Sequence, residues 1–497
     1  MSRLGAVPRP LGGTTFRVWA PHANEVGVQI GGATHVLHTA GDGFHEGELR
    51  AGPGEEYLFV LDGGRALADP CSRCQPHGFD APSRIVDPPA LSPLGLSLDD
   101  LVLYELHVGT FSTEGTFDEA IPQLPALREL GVTAIELMPV ATFPGEHGWG
   151  YDGLYAYAPH AGYGGPEGLA RLVEAAHAEG LGVILDVVYN HLGPGAEALT
   201  AFGPYLRDRH ETLWGGGLDF GQPGTREWAI QNACMWVEDY GVDGLRLDAI
   251  HAIVDDSPRH VLAELADRVH GTAPRALVIS ETHPADERPL RDWGHDARWS
   301  DGLHHALHAL LTGERDGYYE HYGAVEDVLN ELARTPPPRH VVYAQNHDQV
   351  GNRALGDRLP PDLLRVAAAV VLFAPHTPLL FMGEEYGEEN PFQYFTDHPD
   401  PKVAEATREG RKREFACFAG FAADNVPDPQ HPGTFERSRL SRRERTGVRA
   451  SYRKLLELRR RLPLDVTTEI AGEVLRIRRG GVELAVDFAA KTAELSP

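Results

Sequence analysis

Residues 241–251 read GVDGLRLDAIH, a run in which apolar residues are interleaved with charged ones. Alternate residues of a strand share a face, so a strand here places Arg246 and Asp248 on the same side. Two interpretations are open at this point. The two residues form a structural ion pair, or Asp248 is a catalytic carboxylate whose ionised form Arg246 stabilises. The rest of the chain has to distinguish them.

Similar apolar runs that end in polar residues recur on both sides of this stretch. They are LVLYELHV (101–108), VTAIELMPV (132–140), LGVILDVVYNH (181–191), ALVISETH (276–283), ARWSD (297–301), HVVYAQNHD (340–348) and PLLFMGEEYG (378–387). Segments with helical periodicity lie between them, such as GPEGLARLVEAAHAEG (165–180). Strands that are apolar throughout are typical of buried parallel sheets. Eight strands alternating with helices predict an α/β fold, a (β/α)8 TIM barrel.

The barrel is predicted to span residues 91–462, with β-structure on either side. Short runs rich in Val, Phe, Tyr and Thr predict a carbohydrate-binding-like β-sandwich over residues 1–90. Residues 463–497 predict a small C-terminal β-domain with a hairpin turn at Gly480 and Gly481. The charged segment after the eighth strand, about residues 384–445, is expected to be functional or locally structured because plain connectors are rarely so long.

Charge and composition exclude some classes of partner. The formal net charge is −27, which disfavours nucleic acid and anionic membranes because both require a basic surface. No apolar run is long enough for a membrane span, and the N-terminus lacks the apolar core of a signal peptide. We therefore expect a cytoplasmic protein that binds no nucleic acid and no membrane.

The cysteines do not indicate a disulfide framework. There are four, Cys71, Cys74, Cys234 and Cys417, and so few are typical of a protein from a reducing compartment. Cys71 and Cys74 form a C-x-x-C with His77 nearby, but a structural zinc site usually has four ligands. We favour free thiols, and we expect no metal and no cofactor.

Polar residues collect where four of the predicted strands end. The clusters are Asp186, Asn190 and His191; Arg246, Asp248 and His251; Glu281 and His283; and Asn346, His347 and Asp348. Active sites of such barrels lie at the C-terminal ends of the strands, so these side chains are predicted to converge. A single carboxylate after a strand is most often a helix cap or an ion-pair partner. That explanation does not account for four clusters on one face.

Converging carboxylates suit glycoside hydrolysis, in which one carboxylic acid protonates the leaving oxygen and one carboxylate attacks the sugar. Arg246 is predicted to keep Asp248 ionised as the nucleophile. Asp186 is predicted to have a structural role, supporting either Arg246 or the end of the third strand. Burial and nearby negative charge are predicted to raise the pKa of Glu281, as a general acid requires.

The four clusters resemble the signature regions of the α-amylase superfamily of glycoside hydrolases: DVVYNH (186–191), GLRLDAIH (244–251), SETH (280–283) and QNHDQVGN (345–352). The resemblance implies that Asp248 is the nucleophile, Glu281 the acid/base and Asp348 the carboxylate that holds and distorts the sugar. It also implies that Tyr151, His191, Arg246 and His347 are substrate-binding positions. Asp152 and His251 are further candidates, and His251 either lines the sugar-binding rim or contacts the reacting ring. Tyr151 matches the ring that stacks on the reacting glucose.

Within the superfamily, PFQYFTDHPDP (391–401) and ELMPVATFPGEHGWGYDG (136–153) look like malto-oligosyltrehalose trehalohydrolases. That resemblance implies cleavage, with retention, of the α-1,4 bond next to the terminal trehalose of malto-oligosyltrehalose and related α-glucans. It also implies a partner enzyme that forms this substrate. A glucan branching enzyme is the first alternative, because YELHVGTFSTEGTF (104–117) resembles branching enzymes too. An inactive, carbohydrate-binding or scaffold barrel is the second, although all three carboxylates are present.

The loops after strands two and eight are predicted to wall the leaving-group side of the site. Our candidates there are Phe392, Tyr394, Asp397 and Trp214. A walled pocket can discriminate a trehalose unit from maltose by shape and by unpaired hydroxyl groups. The alternative is that these residues only pack the loops onto the barrel.

Overall fold

The structure, a computed structural model, describes residues 2–79, 81–212, 215–415 and 426–497. None of the helices in these ranges is long and apolar enough to cross a membrane. The architecture is a barrel with antiparallel sheets before and after it in the chain.

The N-terminal region forms two antiparallel sheets. Its strands are β1 (Gly5–Pro8), β2 (Thr14–Trp19), β3 (Val26–Ile30), β4 (Ala33–Val36), β5 (His38–Thr39), β6 (Phe44–Leu49), β7 (Glu56–Leu61), β8 (Ala66–Leu67) and β9 (Ser83–Arg84). One sheet has the order β1-β2-β6-β5, and the other has the order β4-β3-β7-β8 with β9 also paired to β7. Alternate residues of β2 and β7, among them Phe16 and Phe59, are fully buried in one core. The predicted N-terminal β-structure is confirmed.

The central strands include the barrel. They are β10 (Leu103–Leu106), β11 (Ala134–Leu137), β12 (Ala141–Thr142), β13 (Tyr155–Pro159), β14 (Gly182–Val187), β15 (Leu206–Thr212), β16 (Gly215–Leu218), β17 (Gly244–Leu247), β18 (Leu277–Ser280), β19 (Ala297–Trp299), β20 (His340–Tyr343) and β21 (Thr377–Phe381). Parallel pairing in the order β10-β11-β14-β17-β18-β19-β20-β21 closes the barrel. All eight strands were predicted, including the short run ARWSD, and the fold class is confirmed.

Helices connect the barrel strands and cover them from outside. They are α1 (Val108–Phe111), α2 (Phe117–Ala120), α3 (Leu124–Leu130), α4 (Gly165–Ala178), α5 (Glu197–Thr200), α6 (Pro223–Tyr240), α7 (Val261–Thr272), α8 (Arg288–Asp292), α9 (Asp301–Thr312), α10 (Val325–Leu332), α11 (His347–Gly351), α12 (Pro361–Phe373), α13 (Pro401–Phe415), α14 (Pro432–Ser438) and α15 (Val448–Arg459). Helix α6 ends at Gly241, whose φ of 67° is the left-handed value that favours glycine at a helix C-terminus. That end delivers the chain into β17.

The segment after β21 is locally structured, because it contains α13 and α14. The chain then closes with a four-stranded antiparallel sheet of β22 (Thr467–Ala471), β23 (Val474–Arg479), β24 (Val482–Asp487) and β25 (Thr492–Ser496). Gly480 and Gly481 both have positive φ, at 54° and 83°, between β23 and β24. Two such residues form the type of two-residue turn that suits a hairpin, as predicted. The domain boundaries at residues 90 and 462 remain predictions.

Trp19 joins the N-terminal sheets to the barrel. Its side chain is buried and packs edge-on against Tyr205 at 5.2 Å between ring centroids. The indole lies so close to Gly224, at the start of α6, that a Cβ there would come within 1.8 Å of Trp19 Cδ2. Nearby, the Trp228 indole donates a hydrogen bond of 3.1 Å to the Pro70 carbonyl. The N-terminal region therefore fixes the helix that leads into β17.

Gly224→Ala is expected to lower the free energy of unfolding by about 1–3 kcal/mol, because the added methyl group forces Trp19 out of its position. Denaturant unfolding followed by tryptophan fluorescence measures the change. Gly271→Ala in α7 is the control, because a Cβ there meets no atom within 4 Å and alanine favours a helix. If the two variants are equally stable, the packing of Trp19 on Gly224 does not hold the N-terminal region to the barrel.

Candidate active site

The Arg246 guanidinium lies at the centre of the polar clusters. Arg246 is on β17, where Asp186 on the neighbouring β14 is its partner in register. Its side chain is 0% exposed and donates hydrogen bonds to Asp186 (2.7 Å), Asp248 (2.9 Å) and Glu281 (2.8 Å). One buried cation therefore joins carboxylates that come from β14 and from the ends of β17 and β18.

An aromatic ring covers the same cation. The guanidinium carbon of Arg246 lies 4.1 Å from the centroid of the Trp299 ring, a cation–π contact that is strong where water is excluded. Removal of Arg246 from water is unfavourable unless the charge is paired, and its three carboxylate partners provide that pairing. The prediction that Asp186 supports Arg246 agrees with these contacts. The contact with Glu281 was not predicted.

Asp248 is held through both carboxylate oxygens. Oδ1 accepts the bond from Arg246, and Oδ2 accepts a bond of 2.7 Å from the side-chain amide of Asn190. Asn190 in turn contacts His191 Nδ1, and the other ring nitrogen of His191 lies 2.9 Å from the Tyr151 carbonyl oxygen. His191 thus orients the amide behind Asp248. The Asp248 side chain is 12% exposed, so it remains open to a ligand.

Glu281 follows β18 and is bound at one oxygen. Oε2 accepts from Arg246 and from the backbone N–H of Ala249 at 2.8 Å. Ala249 has φ 40°, a left-handed conformation that is unfavourable for a residue with a Cβ, and this conformation directs its N–H to Glu281. Burial, together with the negative charges of Asp248 and Asp348, raises the pKa of Glu281 to about 8 although Arg246 opposes the shift. The predicted direction of the shift is confirmed.

Asp348 lies in the first turn of α11, on the far side of the mouth. Asn346 caps this helix by accepting a hydrogen bond of 2.7 Å from the backbone N–H of Gln349. Asp348 Oδ1 accepts a bond of 3.0 Å from the Asn352 amide and lies 3.4 Å from His347 Nε2. Its side chain is 33% exposed, the most of the three carboxylates.

Tyr151 and His347 connect the two sides of the mouth. The Tyr151 hydroxyl donates to Asp186 Oδ2 at 2.6 Å and lies 2.8 Å from His347 Nε2. The two rings are nearly parallel, at 22°, with centroids 5.1 Å apart. His347 itself is buried on Glu105, a residue of β10 that the sequence analysis missed because it lies inside an apolar strand far away in the chain.

Two further predicted residues lie at the edge of the site. His251 is exposed on the cavity rim, with its ring 5.4 Å from that of His283. Asp152 is buried, and burial raises its pKa to about 7. Its Oδ2 lies 3.4 Å from His398 Nε2. His251 is therefore placed to contact a ligand at the rim, whereas Asp152 lies beneath the surface.

The residues predicted for the leaving-group side mainly join loops. Phe392 is fully buried and stacks on Trp149 with centroids 5.2 Å apart, which favours the packing alternative for this residue. Tyr394 packs edge-on against the same indole. Asp397 accepts a hydrogen bond of 2.8 Å from the backbone N–H of Glu146. Trp214 lies outside the described residues.

The open space next to the carboxylates is lined by residues other than Phe392 and Tyr394. A cavity of about 900 Å³ contains Glu281 and Asp348 and continues over the segment after β19. Its aromatic lining comes from His305, Tyr318, Tyr319, Tyr322 and Phe415. This aromatic lining was not predicted, although the run GYYEHY (317–322) is a signal for it.

No group of three or more His, Cys, Asp or Glu side chains within the described ranges is arranged to hold a metal ion. Cys71, Cys74 and Cys234 are buried free thiols, and Cys417 lies outside the described residues.

Comparison with known proteins agrees with the site. The family model of the alpha amylase catalytic domain matches residues 98–203. A malto-oligosyltrehalose trehalohydrolase from Deinococcus radiodurans is 43% identical over 529 aligned residues, which cover 96% of this chain and 87% of that protein. The chain belongs to the malto-oligosyltrehalose trehalohydrolase family. The family resemblance inferred from the sequence motifs is confirmed.

Two further proteins show how similar this chain is to other members of the superfamily. A solved structure from Salmonella typhimurium, provisionally named an alpha amylase, is 37% identical with a TM-score of 0.89, covering 98% of this chain and 94% of that one. A 1,4-alpha-glucan branching enzyme from Salinibacter ruber is 29% identical over 79% of this chain and 74% of that protein. Branching enzymes are thus more distant relatives than the trehalohydrolase family.

Arg246→Met is expected to lower the free energy of unfolding at neutral pH by about 3–5 kcal/mol, because it leaves three carboxylates without their buried cation. The loss should shrink as the pH falls, since protonation neutralises these carboxylates. Denaturant unfolding at several pH values measures both effects. The exposed Arg259→Met is the control, expected within about 0.5 kcal/mol of the parent. A loss that does not change with pH would assign the effect to packing.

Proposed function

We propose that this chain hydrolyses the α-1,4-glucosidic bond next to the terminal trehalose of malto-oligosyltrehalose, releasing trehalose and a malto-oligosaccharide. One observation carries the proposal: a chain of this family gathers three carboxylates at one barrel mouth, two of them on a single guanidinium. That arrangement places Glu281, whose pKa is raised, beside Asp248, and glycoside hydrolysis with retention requires such a pair of acid and nucleophile.

In the first step Glu281 is the proton donor. Its raised pKa keeps the carboxyl protonated at neutral pH, so it can protonate the bridging oxygen as the bond to the trehalose unit breaks. Asp248 attacks the anomeric carbon and forms a glycosyl ester. Arg246 and Asn190 hold Asp248 through both oxygens, which fixes the attacking carboxylate before the substrate arrives.

In the second step water releases the malto-oligosaccharide. Glu281, now ionised, takes a proton from water, which attacks the anomeric carbon and breaks the bond to Asp248. Both carboxyl groups return to their starting states. The configuration at the anomeric carbon is retained because two displacements occur.

We assign the remaining residues to sugar binding. The exposure of Asp348 and its hydrogen bond from Asn352 suit a carboxylate that accepts sugar hydroxyl groups. The Tyr151 ring, partly exposed at the mouth, suits the apolar C–H face of a pyranose. His191 and His251 complete this set, with Asp152 as support, and the buried His347 acts by holding Tyr151 and Asp348. Arg246 acts through the carboxylates, since it is fully buried.

The trehalose side is proposed to extend along the cavity beyond Glu281. The general acid must face the leaving group, and the cavity that contains Glu281 leads to Tyr318 and Tyr322. Tyr318 is 59% exposed, and its ring lies parallel to that of His305 at 6.1 Å. This aromatic wall supports a specificity role better than the buried Phe392 does. Tyr394 and Asp397 then position the neighbouring loops.

The enzyme is proposed to act in the cytoplasm after a partner enzyme that forms malto-oligosyltrehalose. Its substrate has an α,α-1,1-linked end that hydrolysis of the neighbouring bond does not create, so another activity must supply that end. The buried free thiols of Cys71, Cys74 and Cys234 are consistent with a reducing compartment.

Incubation with malto-oligosyltrehalose as the single sugar substrate is expected to release trehalose. Chromatography of the products measures trehalose, and iodine staining of amylose measures branching. A branching enzyme would transfer the glucan to a sugar hydroxyl group and change the iodine spectrum. Branching without trehalose release would overturn the proposal, and a malto-oligosaccharide of equal length is the control substrate.

Asp248→Asn and Glu281→Gln are each expected to lower kcat by orders of magnitude with folding intact. The loss for Glu281→Gln should be about 10²–10⁴-fold, and a substrate with an acidic phenol as leaving group should restore bond cleavage because it needs no proton. The same substrate should not rescue Asp248→Asn, which lacks the nucleophile. Circular dichroism checks the fold, and the exposed Asp256→Asn is the control. Rescue of both variants would contradict the two roles.

A further inference from the structure

Glu105 is a buried carboxylate directed at one residue of the site. It lies on β10 among apolar neighbours, and its side chain is 1% exposed. Oε1 lies 2.5 Å from His347 Nδ1, and Oε2 accepts a hydrogen bond of 2.9 Å from the His347 backbone N–H. Both oxygens thus bind His347, which is 242 residues away in the chain. This contact fixes the position and the rotation of the imidazole ring.

The other nitrogen of the ring faces the substrate side. His347 Nε2 lies 2.8 Å from the Tyr151 hydroxyl and 3.4 Å from Asp348 Oδ1. The ring therefore bridges a carboxylate beneath the site and a carboxylate at its mouth. Only a ring protonated on both nitrogens can donate in both directions.

The surroundings keep the ring charged. Burial disfavours the charged form of His347, but Asp348 and Glu105 outweigh burial and raise the pKa of His347 to about 9, against Arg246. The titratable and charged groups that face it from the packed elements are Glu105, Glu136, Tyr151, Asp186, Arg246, His107 and Asp348. Among these, Glu105 is the one that also forms the bond to Nδ1.

A second glutamate provides an internal comparison. Glu136 on β11 is the register partner of Glu105, and its side chain is equally buried. Neither of its oxygens has a hydrogen-bond partner among the described residues. Burial, together with Glu105, raises its pKa well above the usual range, so Glu136 is neutral. Of these two neighbouring buried acids, Glu105 bonds His347 through both oxygens and Glu136 does so through neither.

We propose that Glu105 is a positioning residue whose carboxylate fixes the charge and the orientation of His347, so that the imidazolium holds Tyr151 and Asp348 around the reacting sugar. This inference rests on the proposed hydrolysis at Asp248 and Glu281. Glu105 itself touches no substrate. Its effect reaches the sugar through one ring.

Glu105→Gln tests the role because it keeps the shape and removes the charge. We expect kcat/KM at neutral pH to fall about 10- to 100-fold, the usual loss when a carboxylate that orients a histidine is replaced. The alkaline limb of the pH profile should also move. In the parent enzyme Glu281 sets this limb near pH 8, since His347 titrates higher. Without Glu105, Asp348 alone opposes burial, so the pKa of His347 falls towards that of Glu281 and the limb shifts to lower pH.

Glu136→Gln is the matched control, because it replaces an equally buried glutamate on the next strand without removing a bond to His347. We expect it to leave kcat/KM and the pH profile close to those of the parent. Equal shifts in both variants would mean that any loss of buried acid perturbs the barrel. That result, or an unchanged pH profile for Glu105→Gln, overturns the proposal.

A double-mutant cycle with His347→Asn separates positioning from a general structural effect. If Glu105 acts through His347, the double variant has the kcat/KM of His347→Asn alone. Losses that multiply overturn the proposal. If Glu105→Gln lowers Tm too far for the activity assay, the same cycle is measured as changes in Tm. Addition of His347→Asn to Glu105→Gln should then recover stability, and a double variant that does not recover it overturns the proposal. A parent enzyme that releases no trehalose contradicts the proposed function instead.

Discussion

A buried positive charge, the Arg246 guanidinium, is the constraint on which the site depends. A cation without water must be paired with negative charge of good geometry, and here the partners come from three successive strands of the barrel. Because all three carboxylates bond one rigid guanidinium, the positions and orientations of Asp186, Asp248 and Glu281 are fixed relative to one another. The structural and catalytic interpretations of the Arg246–Asp248 pair are thus compatible, because the ion pair that stabilises the mouth also orients its carboxylates.

A second cation, His347, organises the opposite side of the mouth in the same way. It lies between Glu105 below and Asp348 above, as Arg246 lies beneath Asp248 and Glu281. Tyr151 links the two centres, because its hydroxyl contacts Asp186, a partner of Arg246, and also His347 itself. The negative charge at the mouth is therefore balanced at two fixed points. Burial still keeps the pKa of Glu281 raised to about 8, although Arg246 opposes the shift.

Much of this arrangement could be predicted from the sequence, for a physical reason. Strands buried on both faces are apolar throughout, and their C-terminal ends meet at one face, so polar residues such as Asp248 and Glu281 are recognisable by position alone. The Gly480–Gly481 turn is similarly local. Glu105 could not be found this way, because an acid inside an apolar strand has meaning only through a partner 242 residues away. The burial of Phe392 could not be predicted either, because it depends on how two loops distant in the sequence pack together.

The contact between those loops has a consequence for the evolution and engineering of the fold. Phe392 stacks on Trp149, and Asp397 accepts a hydrogen bond from the backbone of Glu146. The loop after the eighth barrel strand therefore contacts the loop after the second strand. The ring is in this sense closed twice, first by strand pairing and then by its loops. Neither loop is an independent module. A chimera that exchanges one of these loops between relatives must exchange the other as well, because otherwise the contacts between the two loops are lost.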